Sequence, residues 1–125
     1  MNRAECVDWV YEAANMESLG IEFVDYDDLM TDWHVSQMLV DGLFVGVLMR
    51  KENEIHMQLE KSMALVYARK IIRKHLEPLL QEFGHLTSIA LTGSTDIQFL
   101  ERLGFYETNS TEQVIMFRLD QLKIR

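Results

Sequence analysis

Two residues near the middle of the chain have the types and spacing for proton transfer. In the run Glu54-Ile55-His56-Met57-Gln58-Leu59-Glu60, apolar Ile55, Met57 and Leu59 alternate with polar His56, Gln58 and Glu60. A period of two predicts a half-buried strand with His56 and Glu60 on its polar face. An imidazole and a carboxylate sharing a face can take up and return a proton, so His56 and Glu60 are the candidate acid/base residues. The plain alternative is a half-exposed strand histidine near a carboxylate. His34, His56, His75 and His85 show neither HxH nor HExxH spacing, so no metal site is expected. Cys6 is the single cysteine, which excludes an internal disulfide or a thiolate zinc cluster. It reads as a small core residue in a reducing, intracellular setting.

Charge is unevenly spread. Residues 1–41 carry ten of the twenty acidic groups against the single base Arg3, within a net charge of −8. Such a surface repels phosphates and argues against general nucleic-acid binding; it suits a basic partner or a solvated acidic face. The bases gather instead at Arg69, Lys70, Arg73 and Lys74, two i,i+4 pairs on the solvent side of a helix. No run reaches the ~18 apolar residues of a membrane span, and Met1-Asn2-Arg3-Ala4-Glu5 opens an acidic helix rather than a signal peptide.

The elements that must position these residues follow from periodicity. Val7, Val10, Tyr11 and Ala14 predict a helix over residues 3–19, closed by Gly20. Residues 21–34 hold Phe23, Tyr26 and Trp33 among four aspartates without a clear period, and read as a loop with a short helical turn. Residues 35–40 and 43–50 flank Asp41-Gly42, a type I′ hairpin signal. On the return strand Val45, Val47 and Met49 share a face, and Gly46 marks a bulge or a close backbone approach. Leu65, Ala68, Ile72, Leu76, Leu79 and Phe83 form an apolar stripe along a helix from about Met63 to Phe83. Pro78 inside it predicts a kink, or a break at Glu77. Residues 86–91 read as a strand parallel to its neighbour, and Gln113–Leu119 as the last strand.

Between them lies Thr92–Glu107, TGSTDIQFLERLGFYE. Thr95 and Gln98 fit a capping box, Ile97, Leu100 and Leu103 share one helical face, and Gly104 with Phe105 fits a glycine-terminated helix end. Residues 1–125 therefore read as one α/β domain with a mixed, mostly antiparallel sheet flanked by helices. Val45, Val47, Ile55, Met57, Leu59, Leu65, Ala68, Ile72, Leu76, Ile97, Leu100, Leu103 and Phe105 are expected in a single core.

This element order and the Leu103-Gly104-Phe105 corner resemble the GNAT N-acetyltransferase fold over about residues 35–119. The strand that opens many of these domains has no room ahead of the first helix. The resemblance implies acetyl-CoA as cofactor, its pyrophosphate held on a glycine-rich turn at the start of the long helix. The matching stretch here is Glu60-Lys61-Ser62-Met63-Ala64, followed by Leu65 and Val66, and it contains no glycine. Lys61, Ser62, Met63 and Ala64 are the cofactor-binding candidates if the chain is active, with His56 or Glu60 as base. Arg69, Lys70, Arg73 and Lys74 could then hold the 3′-phosphate. The family pattern also carries a proton-donating tyrosine before the corner; Leu100 stands at that place, and Tyr106 lies beyond it.

Glu54-Ile55-His56 together with Ser94–Gly104, including Phe99-Leu100, is similar to small acetyltransferase-like proteins of tailed bacteriophages that act in head assembly or within the virion. The first expectation is thus a catalytically degenerate phage protein that needs no cofactor, has a protein partner or forms a homo-oligomer, and resides in the host cytoplasm or the virion. The second is an active acyl-CoA N-acyltransferase with a non-standard phosphate turn. The third is a binding module that keeps its cleft.

Overall fold

The computed structural model describes residues 1–94 and 96–123, apart from the side chains of Ala64 and Leu65. The capping expected of Thr95 and the burial expected of Leu65 lie outside the described residues.

Helix α1 (Arg3–Ala13) starts from a capping box in which Asn2 and Glu5 bond each other's main chain. It is shorter than periodicity predicts, because Asn15 turns left-handed (φ 54°) and a 3₁₀ turn over Met16–Leu19 follows. The stretch read as a loop holds a true helix, α2 (Phe23–Leu29), and a 3₁₀ turn at Met30–Asp32. Its acidic residues point outward all round, so the apolar period is masked.

Strands β1 (His34–Val40) and β2 (Leu43–Lys51) form the expected hairpin, with Asp41 at φ 53° and Gly42 at φ 80°. β3 (Glu54–Leu59) pairs antiparallel with β2, and β4 (Leu86–Leu91) runs parallel to β3. β6 (Val114–Leu119) and β5 (Tyr106–Ser110) complete the order β1-β2-β3-β4-β6-β5 among the described residues. Each outer strand has one register shift, at Met38/Leu39 in β1 and Glu107/Asn109 in β5.

The long helix is interrupted. α3 (Lys61–Ile71) passes into a π-helical stretch, Ile72–Leu76, before α4 (Glu77–Phe83). Pro78 cannot donate to the carbonyl four residues back and its ring crowds it, so the helix widens ahead of it. It restarts at Glu77 with Pro78 in the first turn, where a missing donor is tolerated. α5 (Asp96–Leu103) ends at Gly104 (φ 113°), and Phe105 folds into the interior as expected.

Two apolar clusters occupy opposite faces of the sheet, where a single core was expected. The larger joins Val45, Leu48, Ile55, Ile72, Leu76, Leu100, Leu103 and Phe105; the smaller joins Cys6, Val7, Val10, Tyr26, Val47 and Met49. Gly46 separates Val45 from Val47. A Cβ at Gly46 would lie 2.4 Å from the Gln58 carbonyl oxygen, so β3 can approach this closely only beside glycine.

Candidate active-site cleft

β3 and β4 are in register where Glu54 faces Thr87. The Thr87 N–H donates to the Asn53 carbonyl at 2.9 Å, and the Ser88 hydroxyl donates to the Ile55 carbonyl at 2.7 Å. Past these bonds a cleft of about 390 Å³ opens between the strands, lined by Met57, Gln58, Leu59, Ile89, Asp96, Phe99 and Leu100. A second cavity of about 290 Å³ lies toward α1 and α2, against Val10, Tyr26, Leu29, Met30 and Trp33. The two adjoin, since both are bordered by His56, Met57, Gln58 and Asp96.

His56 stands at that junction. Its Nε2 is 2.7 Å from Glu54 Oε2, with the two side chains 31% and 33% exposed. Its ring lies against Trp33, centroids 5.2 Å apart. A carboxylate only accepts, so Nε2 is the nitrogen that donates to Glu54, which leaves Nδ1 as the ring nitrogen turned away from that bond. Tyr26, in the second cavity, is no competing base: burial pushes its phenol up to about 12, and its hydroxyl donates to the Met49 sulfur.

Glu60, the other acid/base candidate, has a different place. It is the N-cap of α3: its carboxylate accepts from the Ser62 N–H at 3.0 Å and from the Ser62 hydroxyl. Lys61 borders the cleft, Ser62 is held by Glu60, and Met63 packs against the larger apolar cluster. The side chain of Ala64 is outside the described residues. In the basic group, Lys70 pairs with Asp41 at 2.6 Å and Lys74 donates to the Leu39 carbonyl at 2.8 Å, while Arg69 and Arg73 are exposed. Tyr106 is held away from the cleft by Asp120, 2.5 Å distant, and that bond raises its pKa. Glu54 was missed as a site residue although its signal is present: it is two residues before His56 on the same strand face. Trp33 and Ser88 reach the site only through tertiary packing and leave no local pattern.

No protein-family model matches the chain, and no curated protein sequence does. Solved structures do. The N-acetyltransferase PseH of Campylobacter jejuni is similar over 97% of this chain and 92% of its own, at 12% identity and a TM-score of 0.62. A variant of spermidine N-acetyltransferase SpeG from Vibrio cholerae covers 95% and 91%, at 11% identity and 0.65. A GNAT family acetyltransferase from Elizabethkingia anophelis, with acetyl-CoA bound, covers 76% and 80%, at 10% and 0.57.

The fold is that of the GNAT N-acetyltransferases.

In this GNAT-fold chain the start of α3 does not suit a pyrophosphate. An anion binds a helix N-terminus through free N–H groups and the positive end of the dipole. Here the Glu60 carboxylate already takes the Ser62 N–H, and a phosphate at that N–H would meet both its bulk and its charge. Leu100, in the position where the resemblance expects a tyrosine, is buried in the larger cluster and has no proton to give.

Proposed function

We propose that this chain is a catalytically degenerate GNAT-fold protein that works by binding rather than by acyl transfer. The observation that carries the proposal is the Glu60 carboxylate on the α3 N-terminus. The expected occupant of its binding face is a protein with a basic surface. Leu19, Val24 and Leu29 are 62%, 58% and 67% exposed, and they lie among exposed Glu22, Asp25 and Asp28. A face of this kind gives fast association that weakens as salt screens it. The phage setting, head assembly or residence in the virion, is proposed from the resemblance of Glu54-Ile55-His56 and Ser94–Gly104 alone. Purified particles or capsid intermediates of the encoding phage should contain the chain, and its absence from both would remove that setting.

A second reading, an acyl-CoA-dependent N-acyltransferase, is favoured by one observation: His56, held by Glu54, faces both cavities. There His56 would take a proton from an amine lying toward Trp33 and Tyr26. Calorimetric titration with acetyl-CoA separates the two readings. We expect no saturable binding below millimolar concentration. Micromolar binding that is lost in Lys61→Ala would overturn the degenerate reading and establish the second.

A further inference from the structure

α2 and α3 lie on opposite sides of the sheet and carry opposite charge. Tyr26 and Met30 hold the α2 segment on the smaller apolar cluster, and Ile71 holds α3 on the larger. Residues 22–32 contain the acidic groups Glu22, Asp25, Asp27, Asp28 and Asp32, and no base. Residues 61–74 contain the bases Lys61, Arg69, Lys70, Arg73 and Lys74, and no acidic group.

On each helix the side turned from the sheet mixes that charge with exposed apolar surface. In α2, Val24 and Asp28 are one turn apart, as are Asp25 and Leu29, so all four share the side away from buried Tyr26. Along α3 and into the π-helical stretch, Val66, Arg69 and Arg73 follow at spacings of three and four, and all three are exposed. Val66 is 73% exposed, more than any other large apolar residue among those described. Lys70 and Lys74 are turned onto their own chain, at Asp41 and the Leu39 carbonyl. Asp25, Asp28, Arg69 and Arg73 enter no ion pair among the described residues, so their charge is open to a partner.

We infer that the acidic face receives a second copy of this chain, with Arg69 and Arg73 of one copy on Asp25 and Asp28 of the next, and Val66 against Val24 and Leu29. The inference rests on the reading of that face as a docking surface and names its occupant; it does not depend on whether the cleft binds acyl-CoA. Charge complements charge and apolar surface meets apolar surface on both sides of the contact. Because the two faces lie across the sheet from each other, one chain cannot join its own. The contact is therefore heterologous, and every added copy still offers one face of each kind, so copies join head to tail.

Sedimentation velocity of the full chain tests this. The net charge of −8 repels whole chains, so the measurement belongs near 0.1 M salt, where screening shortens to about 10 Å and leaves close pairs in force. Dimers and larger species are expected there, with dissociation near 1 M, where the screening length is about 3 Å. Asp25→Asn with Asp28→Asn should be monomeric, and so should Arg69→Gln with Arg73→Gln. Mixing these two variants leaves one intact acidic face and one intact basic face, and should give a 1:1 dimer that grows no further. All four residues are exposed, and Glu101→Gln with Arg102→Gln on α5 should associate as the unaltered chain does. A monomer at every salt, or no dimer in the mixture, would overturn the inference. A monomer that binds an oligolysine peptide through Asp25 and Asp28 would also overturn it, while keeping the acidic face as a docking surface for a different protein. Micromolar acetyl-CoA binding, by contrast, would remove the degenerate reading and leave this contact standing.

Discussion

The Ser88 hydroxyl donates to the Ile55 carbonyl across two strands that are parting, at 2.7 Å. It takes up the carbonyl that the ladder between β3 and β4 leaves unpaired just past the Glu54–Thr87 register. The cleft therefore begins at a side-chain bond, and Ser88 is buried to make it.

Removing that donor should be felt. Ser88→Ala leaves a buried carbonyl without its partner, a loss of about 1–3 kcal/mol. Denaturant unfolding measures it, and a loss below about half a kcal/mol, as at an ordinary surface site, would mean that water replaces the hydroxyl freely.

Leu76 closes the π-helical stretch and is 0% exposed. Leu76→Ala should lower stability by about 2–5 kcal/mol, the range for a truncated core leucine. A change of surface size would show that the stretch does not hold the larger cluster together.

Gly46 and Gly20 separate crowding from backbone strain. Gly20 (φ +78°) has open space where a Cβ would go, so Gly20→Ala meets only the left-handed penalty of about 1–2 kcal/mol. At Gly46 the Cβ would press on the backbone of Gln58 and Leu59, and β3 must move. Overpacking adds about 1–3 kcal/mol, so Gly46→Ala should be the more damaging in parallel unfolding curves. Equal losses would contradict the close approach.

His75 gives the stability a pH dependence. Burial pushes its imidazole below the ordinary value of 6.5, and neighbouring Lys74 lowers it further, against an opposing hydrogen bond to the Leu39 carbonyl. A histidine whose folded pKa is depressed leaves the unfolded chain holding more protons. Its contribution is complete above pH 6.5 and is lost as pH falls below that value through the folded pKa. Unfolding free energy should therefore decline on acidification from pH 6.5, and His75→Gln should flatten that part of the curve. An unchanged slope in the variant would assign the decline to other groups.

Most of the framework was legible because it rests on local rules. Asp41-Gly42 announced its hairpin, Pro78 its break, and Leu103-Gly104-Phe105 its corner. What escaped depends on contacts between distant segments. α2 was hidden because Phe23, Tyr26 and Met30 sit among aspartates that give no period. Val45 and Val47 were assigned one face because alternation assumes a regular strand, and Gly46 breaks that regularity against β3. At the site, His56 was legible from strand alternation, while its partner Glu54, two residues earlier on the same face, was missed. Glu60 was assigned to proton transfer because it continues that alternation, yet the strand ends one residue earlier and Glu60 becomes the cap of the next helix.

The register shifts in the two outer strands bear on how copies of this chain meet at high concentration. A fibril, or a dimer formed by extending one sheet into another, needs a straight run of outward N–H and C=O groups. In β5 the run is broken between Glu107 and Asn109, and in β1 between Met38 and Leu39. Each break twists the rim and leaves only a short template on either side of it. Strand-to-strand growth is thereby disfavoured at both ends of the sheet, and association is left to side chains, where charge can select the partner.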